Sequence, residues 1–179
     1  MSISEEKIYE YQKIYRYRIY LKIRKEIDKI KKKHGFKCKF PKCYCCTSLL
    51  HFYPEDYMFM KEKNLDTSGL DVEFDEKGEV FYISDKTKEK ERFNKKGEKI
   101  FLSHICYYEI IDENQENLSC SLHPNNPLLC HTFPIVLRLE DVEILEKAYH
   151  CRQKTKMKLT KKEKLKLYRL MRKYNKFNI

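Results

Sequence analysis

The sequence contains no tryptophan, and it has only four glycines and five prolines among 179 residues. Glycine and proline are therefore too scarce to form a flexible linker between domains. No run of about 20 apolar residues occurs, so we expect no transmembrane helix. The amino-terminal segment MSISEEKIYEYQ lacks the apolar core and the small-residue cleavage site of a signal peptide. We therefore predict a cytoplasmic protein that does not associate with a membrane.

Several motifs with known chemistry are also missing. The sequence has no glycine-rich turn between a strand and a helix, which a bound nucleotide would require. Spacing alone reveals no Ser-His-Asp set and no pair of catalytic carboxylates. The cysteines form neither the two C-x2-C pairs of a zinc finger nor the C-x2-C-x2-C run of bacterial ferredoxins. Whether the protein is an enzyme is therefore left open by the sequence.

The charge of the chain is strongly uneven. Residues 1–37 contain 12 Lys and Arg against 5 Asp and Glu, and residues 152–179 contain 12 against 1. The middle, residues 38–151, has 14 against 21 and holds every cysteine. Basic segments of this kind can neutralise the phosphates of a nucleic acid or bind an acidic protein. They can equally pair with the acidic middle of the same chain, which needs no partner.

Cysteine is abundant, with eight residues, and four of them crowd into the segment KCKFPKCYCC at residues 37–46. In a reducing cytoplasm, clustered thiols bind metal more often than they form disulfides. Thiolates are soft ligands, and four of them suit either Zn²⁺ or an iron–sulfur cluster. We therefore predict a metal centre with ligands drawn from Cys38, Cys43, Cys45, Cys46, Cys106, Cys120, Cys130 and Cys151.

The adjacent residues Cys45 and Cys46 constrain that centre, because neighbouring side chains of an extended chain point to opposite faces. The pair is poorly suited to one mononuclear ion, and it fits two metal sites or opposite sides of one polynuclear cluster. Eight thiols make two four-thiolate sites or one site with spare cysteines, so the grouping stays open. His104 and His131 are the best other ligand candidates, although a hydrogen-bonded or exposed histidine is the simpler interpretation.

The later cysteines lie in a recognisable pattern. One segment reads CYYEIIDENQENLSCSLHPNNPLLCHTFP, and HCRQ follows at residues 150–153. With the earlier knot that ends in CC, this pattern resembles the zinc- or iron-chelating CxxCxxCC family, the YkgJ-type cysteine-cluster proteins. The resemblance covers residues 36–152, and the positions that match the family are Cys106, Cys120, Cys130, Phe133, Pro134 and Cys151.

The chain also departs from that family. Its knot is C-x4-C-x-C-C rather than C-x2-C-x2-C-C. The family's Arg-Pro before the third cysteine of the later segment appears as Asn126-Pro127, and its Arg after that cysteine is His131. The last change removes a charge or adds a different type of ligand.

The resemblance implies a metal-binding module with an accessory or redox role. Its centre would be an iron–sulfur cluster, with 4Fe–4S favoured, or a zinc ion. A second hypothesis is a zinc-stabilised module whose basic arms bind nucleic acid or an acidic protein. Similar cysteine segments occur in flagellin lysine N-methylases, so the resemblance also raises a role in protein lysine methylation.

We predict an α+β fold, with an irregular cysteine-rich metal-binding domain and a small antiparallel sheet between long terminal helices. The expected divisions are a basic helix at residues 1–35, the cysteine-cluster domain at 36–152 and a second basic helix at 153–179. Periodicity gives the first helix one apolar face, formed by Ile8, Tyr11, Tyr15, Ile19, Ile23, Ile27 and Ile30, and a cap at Gly35.

Further elements follow from local signals. Thr160 and Glu163 form a capping-box signature for the last helix, whose predicted apolar stripe is Leu165, Tyr168, Met171 and Tyr174. Pro54 predicts a short helix that runs to about Lys63. A hairpin is expected around residues 77–78, followed by a strand that ends at Cys106. Three segments are less regular: residues 86–98 indicate a charged surface turn, residues 106–135 a loop, and residues 135–147 a strand pair or a strand with a short helix.

Overall fold

The fold was analysed in a computed structural model, which describes residues 5–36, 52–76, 80–85, 88–93, 99–105, 107–111, 118–137, 142–144 and 157–176. Within these ranges the fold is α+β, with strands arranged as separate two-stranded antiparallel sheets. The helices are α1 (Glu5–Lys33), α2 (Pro54–Glu62), α3 (Leu128–Thr132) and α4 (Lys161–Asn175). The strands are β1 (Leu70–Phe74), β2 (Val80–Asp85), β3 (Lys88–Phe93), β4 (Lys99–Ile105), β5 (Glu109–Ile111), β6 (Leu118–Cys120), β7 (Ile135–Leu137) and β8 (Val142–Ile144).

The chain divides into two compact units. Unit 1 comprises Met1–Lys37, Thr132–Glu146 and Thr155–Ile179, and unit 2 comprises Cys38–His131 and Lys147–Lys154. Unit 1 therefore contains both long basic helices, α1 and α4, together with the β7–β8 hairpin. Helix α2 and the strands β1 to β6 belong to unit 2.

Helix α1 ends as the sequence predicted. Gly35 has a φ of +63°, a conformation that glycine adopts without steric cost. The N–H of Phe36 donates to the carbonyl of Lys31 at 2.9 Å, and the N–H of Gly35 donates to that of Lys32 at 3.2 Å. This pair of hydrogen bonds is the Schellman arrangement, which satisfies carbonyls that the end of a helix would leave without donors.

Only the second half of the predicted apolar face of α1 is buried. Ile19, Ile23, Ile27 and Ile30 are at most 3% exposed. In the first half, Tyr11 is 68% exposed and Ile8 46% exposed, so the predicted apolar face is buried only over its second half. The first half of α1 is exposed because α4, with 15 residues, is shorter than α1, with 29, and covers only part of it.

Helix α4 begins with the predicted capping box. The Thr160 hydroxyl accepts a hydrogen bond from the N–H of Glu163 at 3.2 Å, and the Glu163 carboxylate accepts one from the N–H of Thr160 at 2.8 Å. The predicted stripe is partly wrong, because Leu165 is 47% exposed whereas Leu167 is fully buried. Met171 and Tyr174 are buried as predicted, and Tyr168 is half-buried.

Ionic contacts hold α1 and α4 together in an antiparallel arrangement. Glu163 at the start of α4 lies 2.7 Å from Nζ of Lys33 and 3.2 Å from Nε2 of His34, at the end of α1. Farther along, Lys166 pairs with Glu26 at 2.6 Å. Burial would by itself raise the pKa of Glu163, but hydrogen bonds from Lys33, from the N–H and hydroxyl of Thr160 and from His34 lower it to about 2.

The β7–β8 hairpin completes the described core of unit 1. Its strands pair Ile135 with Ile144 and Leu137 with Val142, and both strands contact α4. Ile135 and Val142 are each 1% exposed. The sequence left residues 135–147 as two strands or a strand and a helix, and the structure decides for two strands, because residues 135–137 pair with residues 142–144 in an antiparallel ladder.

Unit 2 has a small core of its own between α2 and the first hairpin. The β1–β2 pair matches the predicted hairpin, and α2 spans the predicted residues within one position. Among the described residues, one cluster of buried side chains joins these elements to later parts of the chain: Phe52, Met60, Leu70, Ile83, Tyr108 and Leu122.

Two segments differ from the sequence-based expectation. Residues 88–93, predicted as part of a surface turn, form β3, which pairs with β4. Residues 106–135, predicted as a loop, include the short β5–β6 hairpin and α3. A highly charged segment such as β3 lacks the alternation of apolar and polar residues by which a strand is recognised in a sequence. Its strand conformation therefore depends on pairing with a neighbouring strand.

In the part of the chain that the structure describes, no helix is both long enough and apolar enough to cross a membrane.

Candidate metal centre

Two of the eight predicted metal ligands, Cys120 and Cys130, lie among the described residues. Both are half-buried, and they are not joined to each other in a disulfide. The other six predicted ligands lie outside the described residues: Cys38, Cys43, Cys45, Cys46, Cys106 and Cys151. The structure therefore describes the surroundings of part of the predicted centre.

Cys120 is the last residue of β6, where it pairs with Glu109 of β5. Its side chain packs against the core cluster of unit 2. The backbone on its carboxyl side is held by two hydrogen bonds, from the N–H of Ser121 to the carbonyl of Tyr108 at 2.9 Å and from the N–H of His123 to the carbonyl of Cys120 at 3.1 Å. A strand, a core contact and a tight turn thus fix the position of this thiol.

Cys130 lies in α3, whose first residue is anchored by a buried carboxylate. Oδ1 of Asp56 accepts a hydrogen bond from the N–H of Leu128 at 2.7 Å. Oδ2 of the same side chain accepts one from the N–H of Tyr53 at 2.8 Å, at the start of α2. Asp56 is 0% exposed, so both oxygens act within the protein interior.

Buried carboxylates need such donors, because an ionised group removed from water is otherwise strongly destabilised. The negative charge of Asp56 also acts on its neighbour, since burial first, and then the carboxylates of Asp56 and Glu55, raise the pKa of Tyr53. The sequence places Glu55 and Asp56 directly after Pro54, in the first turn of α2, but it gives no sign of the link to α3. A carboxylate two positions after Pro54 was the available signal, but nothing in the sequence pointed to Leu128.

His131, one of the two non-cysteine candidates, follows Cys130 in α3. Its backbone N–H donates to the carbonyl of Pro127 at 2.8 Å. Its ring nitrogen Nε2 is buried. Imidazole nitrogens are ligands of both zinc and iron, so the ring of His131 has suitable chemistry for such a site. The other candidate, His104, lies in β4 opposite Glu89 of β3.

The residues next to position 106 are packed into unit 2. Tyr107 packs against the core cluster, and its ring lies edge-on to that of Tyr108 with 5.3 Å between centroids. Its other side lies against Gly69, where a Cβ atom would overlap the Tyr107 ring. The Tyr108 hydroxyl donates to the carbonyl of Asp66 at 3.0 Å. Close packing therefore fixes the chain immediately after Cys106.

The described residues do not by themselves complete a metal site. Among them, no group of three or more histidine, cysteine, aspartate or glutamate side chains is arranged to hold a metal ion. The donors that are described, two half-buried thiols and a buried imidazole nitrogen, have the chemistry that zinc and iron–sulfur centres require. A complete site would need thiols from the six cysteines outside the described residues.

Comparison with models of known families, with curated proteins and with solved structures gives no match to this chain.

Proposed function

We propose that this is a metal-binding cysteine-cluster protein in which cysteines of unit 2 hold an iron–sulfur centre, with an accessory or redox role. The metal would join chain segments that are far apart in sequence. A metal that joins such segments would couple metal binding to folding.

One observation carries the proposal: all eight cysteines fall within the ranges of unit 2, and none falls within those of unit 1. Unit 1 holds 23 Lys and Arg against 10 Asp and Glu, whereas unit 2 holds 15 against 17. Unit 2 has a net charge close to zero, and such a unit suits a site in which several negatively charged thiolates surround a metal cation.

The surroundings of the described ligands support it further. Cys120 and Cys130 are each fixed by regular structure, and neither is fully buried. Partial burial lets a thiolate bind a metal without the full cost of placing its charge in the interior. The resemblance of residues 36–152 to the CxxCxxCC family is consistent with the same centre.

A cluster is favoured over a mononuclear zinc ion by the adjacent residues Cys45 and Cys46. Their side chains would project in different directions, which suits two metals or a polynuclear cluster. Zinc bound by four of the eight thiols is the second candidate, and it would make the centre structural. The two candidates differ in colour, sulfide content and redox behaviour.

The test is anaerobic purification of the full chain, followed by visible absorption and by iron, acid-labile sulfide and zinc analysis. The proposal predicts a brown protein that contains iron and sulfide. The variants Cys120→Ser and Cys130→Ser should lower the iron and sulfide content, and Ser121→Ala, a change of similar size beside Cys120, should leave both unchanged.

A colourless protein with stoichiometric zinc would replace the iron–sulfur proposal with the zinc candidate. A protein that holds neither metal after anaerobic purification would reject both. Unchanged metal content in both serine variants would show that Cys120 and Cys130 are not ligands.

A further inference from the structure

One face of α1 carries a row of exposed cations, which is unbroken from Arg18 to Lys32. We name it the basic stripe, and its members recur at the spacing of a single helix face. Tyr11 and Ile14 occupy the two positions where the row has no cation, and both are exposed. The cations are all exposed as well: Lys7, Arg18, Lys22, Lys25, Lys29 and Lys32.

The basic stripe lies away from the core of unit 1. The buried residues Ile19, Ile23, Ile27 and Ile30 occupy another face of the same helix, which packs against α4. No acidic residue belongs to the stripe. Glu26 and Glu163 pair with cations at the contact between α1 and α4. The exposed Glu10 and Asp28 flank the stripe, each three residues after one of its lysines, and six cations against these two carboxylates leave this face of α1 with a net positive charge.

The dimensions of the stripe suit a linear polyanion. A rise of 1.5 Å per residue makes the distance from Lys7 to Lys32 about 38 Å. Successive cations from Arg18 onwards are three or four residues apart, which corresponds to about 4.5–6 Å along the helix axis. Phosphates of a nucleic acid strand repeat on the same scale, about 3.4 Å per nucleotide along one strand of a duplex and farther apart when the strand is extended.

From these observations we propose that the basic stripe of α1 binds single-stranded nucleic acid, with its cations on the phosphates and the exposed ring of Tyr11 stacked on a base. Stacking on exposed aromatic rings combined with a row of cations is the usual basis of binding without sequence preference. Tyr11 is 68% exposed, which leaves its ring face accessible to a base. The proposal concerns unit 1 and does not depend on the metal centre of unit 2.

An anionic membrane is a poorer fit to the same surface. A helix that binds at a membrane surface inserts a long apolar face beside its basic one. Here the isoleucines in the second half of α1 are already buried against α4. An acidic protein would supply carboxylates for the cations but no base for the ring of Tyr11 to stack on. Nucleic acid is therefore the partner that charge and geometry favour.

The test measures binding of the full chain, by fluorescence anisotropy, to a labelled single-stranded RNA of about 20 nucleotides, which is longer than the stripe. Salt is varied between about 50 and 200 mM. The stripe variant is Lys25→Gln/Lys29→Gln. The matched control is Lys61→Gln/Lys63→Gln, which removes two exposed cations from the end of α2 in unit 2 and leaves the same net charge.

We expect the stripe variant to bind about tenfold more weakly than the parent, with a salt slope shallower by about 1 to 2. The control variant should bind like the parent. Tyr11→Ala should weaken single-strand binding about fivefold or more while retaining the salt slope. Circular dichroism of every variant should match the parent, which confirms that the exposed substitutions leave the fold intact.

Four results would contradict the proposal. Absence of measurable RNA binding at low salt would do so directly. Equal weakening by the stripe and control variants would show that only net charge matters. Binding to phosphatidylserine vesicles but not to RNA would assign the surface to a membrane. Single-strand binding that is unchanged by Tyr11→Ala would reject the stacking role and the preference for a single strand.

Discussion

The Asp56 carboxylate accepts a hydrogen bond from the N–H of Leu128 at 2.7 Å, across a separation of 72 residues. Its second oxygen accepts one from the N–H of Tyr53. One buried side chain therefore fixes the first residue of α3 to the start of α2. Because Cys130 lies two residues after Leu128, the position of this candidate ligand depends on Asp56, although Asp56 would not bind the metal.

We predict that Asp56→Ala destabilises unit 2 by about 3 kcal/mol, since it removes two charge-assisted hydrogen bonds and leaves buried N–H groups without acceptors. Hydrogen exchange should detect the change as about a hundredfold loss of protection in peptides that cover α2 and α3. Glu62→Gln, an exposed change on the same helix, should alter protection little. If protection in α3 is retained in Asp56→Ala, the link to Leu128 is not stabilising.

Leu165 and Leu167 provide a matched pair of substitutions within α4. Leu167→Ala removes a fully buried side chain from unit 1 and should cost about 2–5 kcal/mol. Leu165→Ala removes one that is 47% exposed, and it should change stability by less than about 0.5 kcal/mol. Denaturation monitored by the circular dichroism signal of the helices distinguishes the two. Equal costs would mean that the described orientation of α4 is incorrect.

Glu163 should make the stability of unit 1 depend on pH in acid. Its pKa is lowered from 4.5 to about 2, so in acid the unfolded chain takes up a proton before the folded chain does. The stabilisation is therefore complete above about pH 4.5 and is lost as the pH falls toward 2. We expect it to be about 2 kcal/mol, after a discount for screening, because the Lys33 side chain is 62% exposed.

The measurement is denaturation of the parent and of Glu163→Gln between neutral pH and pH 2. The glutamine variant should be less stable at neutral pH, and the difference should vanish at the acid end. Glu26→Gln, which removes the other ion pair with α4, serves as the control for a general loss of one negative charge. A constant difference between parent and Glu163→Gln across this range would contradict the assignment.

Gly69 tests the packing next to position 106. A methyl group at Gly69 would overlap the ring of Tyr107, so Gly69→Ala should destabilise unit 2 by about 1–3 kcal/mol. Tyr107→Leu, which replaces the ring with a smaller side chain, should recover part of that loss in the double variant. Additive effects of the two substitutions, measured by hydrogen exchange in β1, would show that Gly69 and Tyr107 do not interact.

Local sequence was sufficient wherever the determining interactions lie within a few residues. The end of α1 at Gly35 and the start of α4 at Thr160 depend on hydrogen bonds between residues at most five positions apart. The β1–β2 hairpin follows from alternation on both sides of a turn. For the predicted metal ligands, the sequence supplies identities and spacing, and six of the eight lie outside the described residues.

Contacts between segments that are distant in sequence decided which side chains are buried and which elements lie together. The sequence set the helical period of α1 and α4, but the point where α4 ends along α1 determines that Ile19 is buried and Tyr11 exposed. It placed Asp56 in the first turn of α2, but only folding brings Leu128 to it. Periodicity specifies which residues share a face, and burial depends on what packs against that face. For this reason the sequence determined the elements and the cysteine pattern, and the tertiary structure determined which surfaces are exposed.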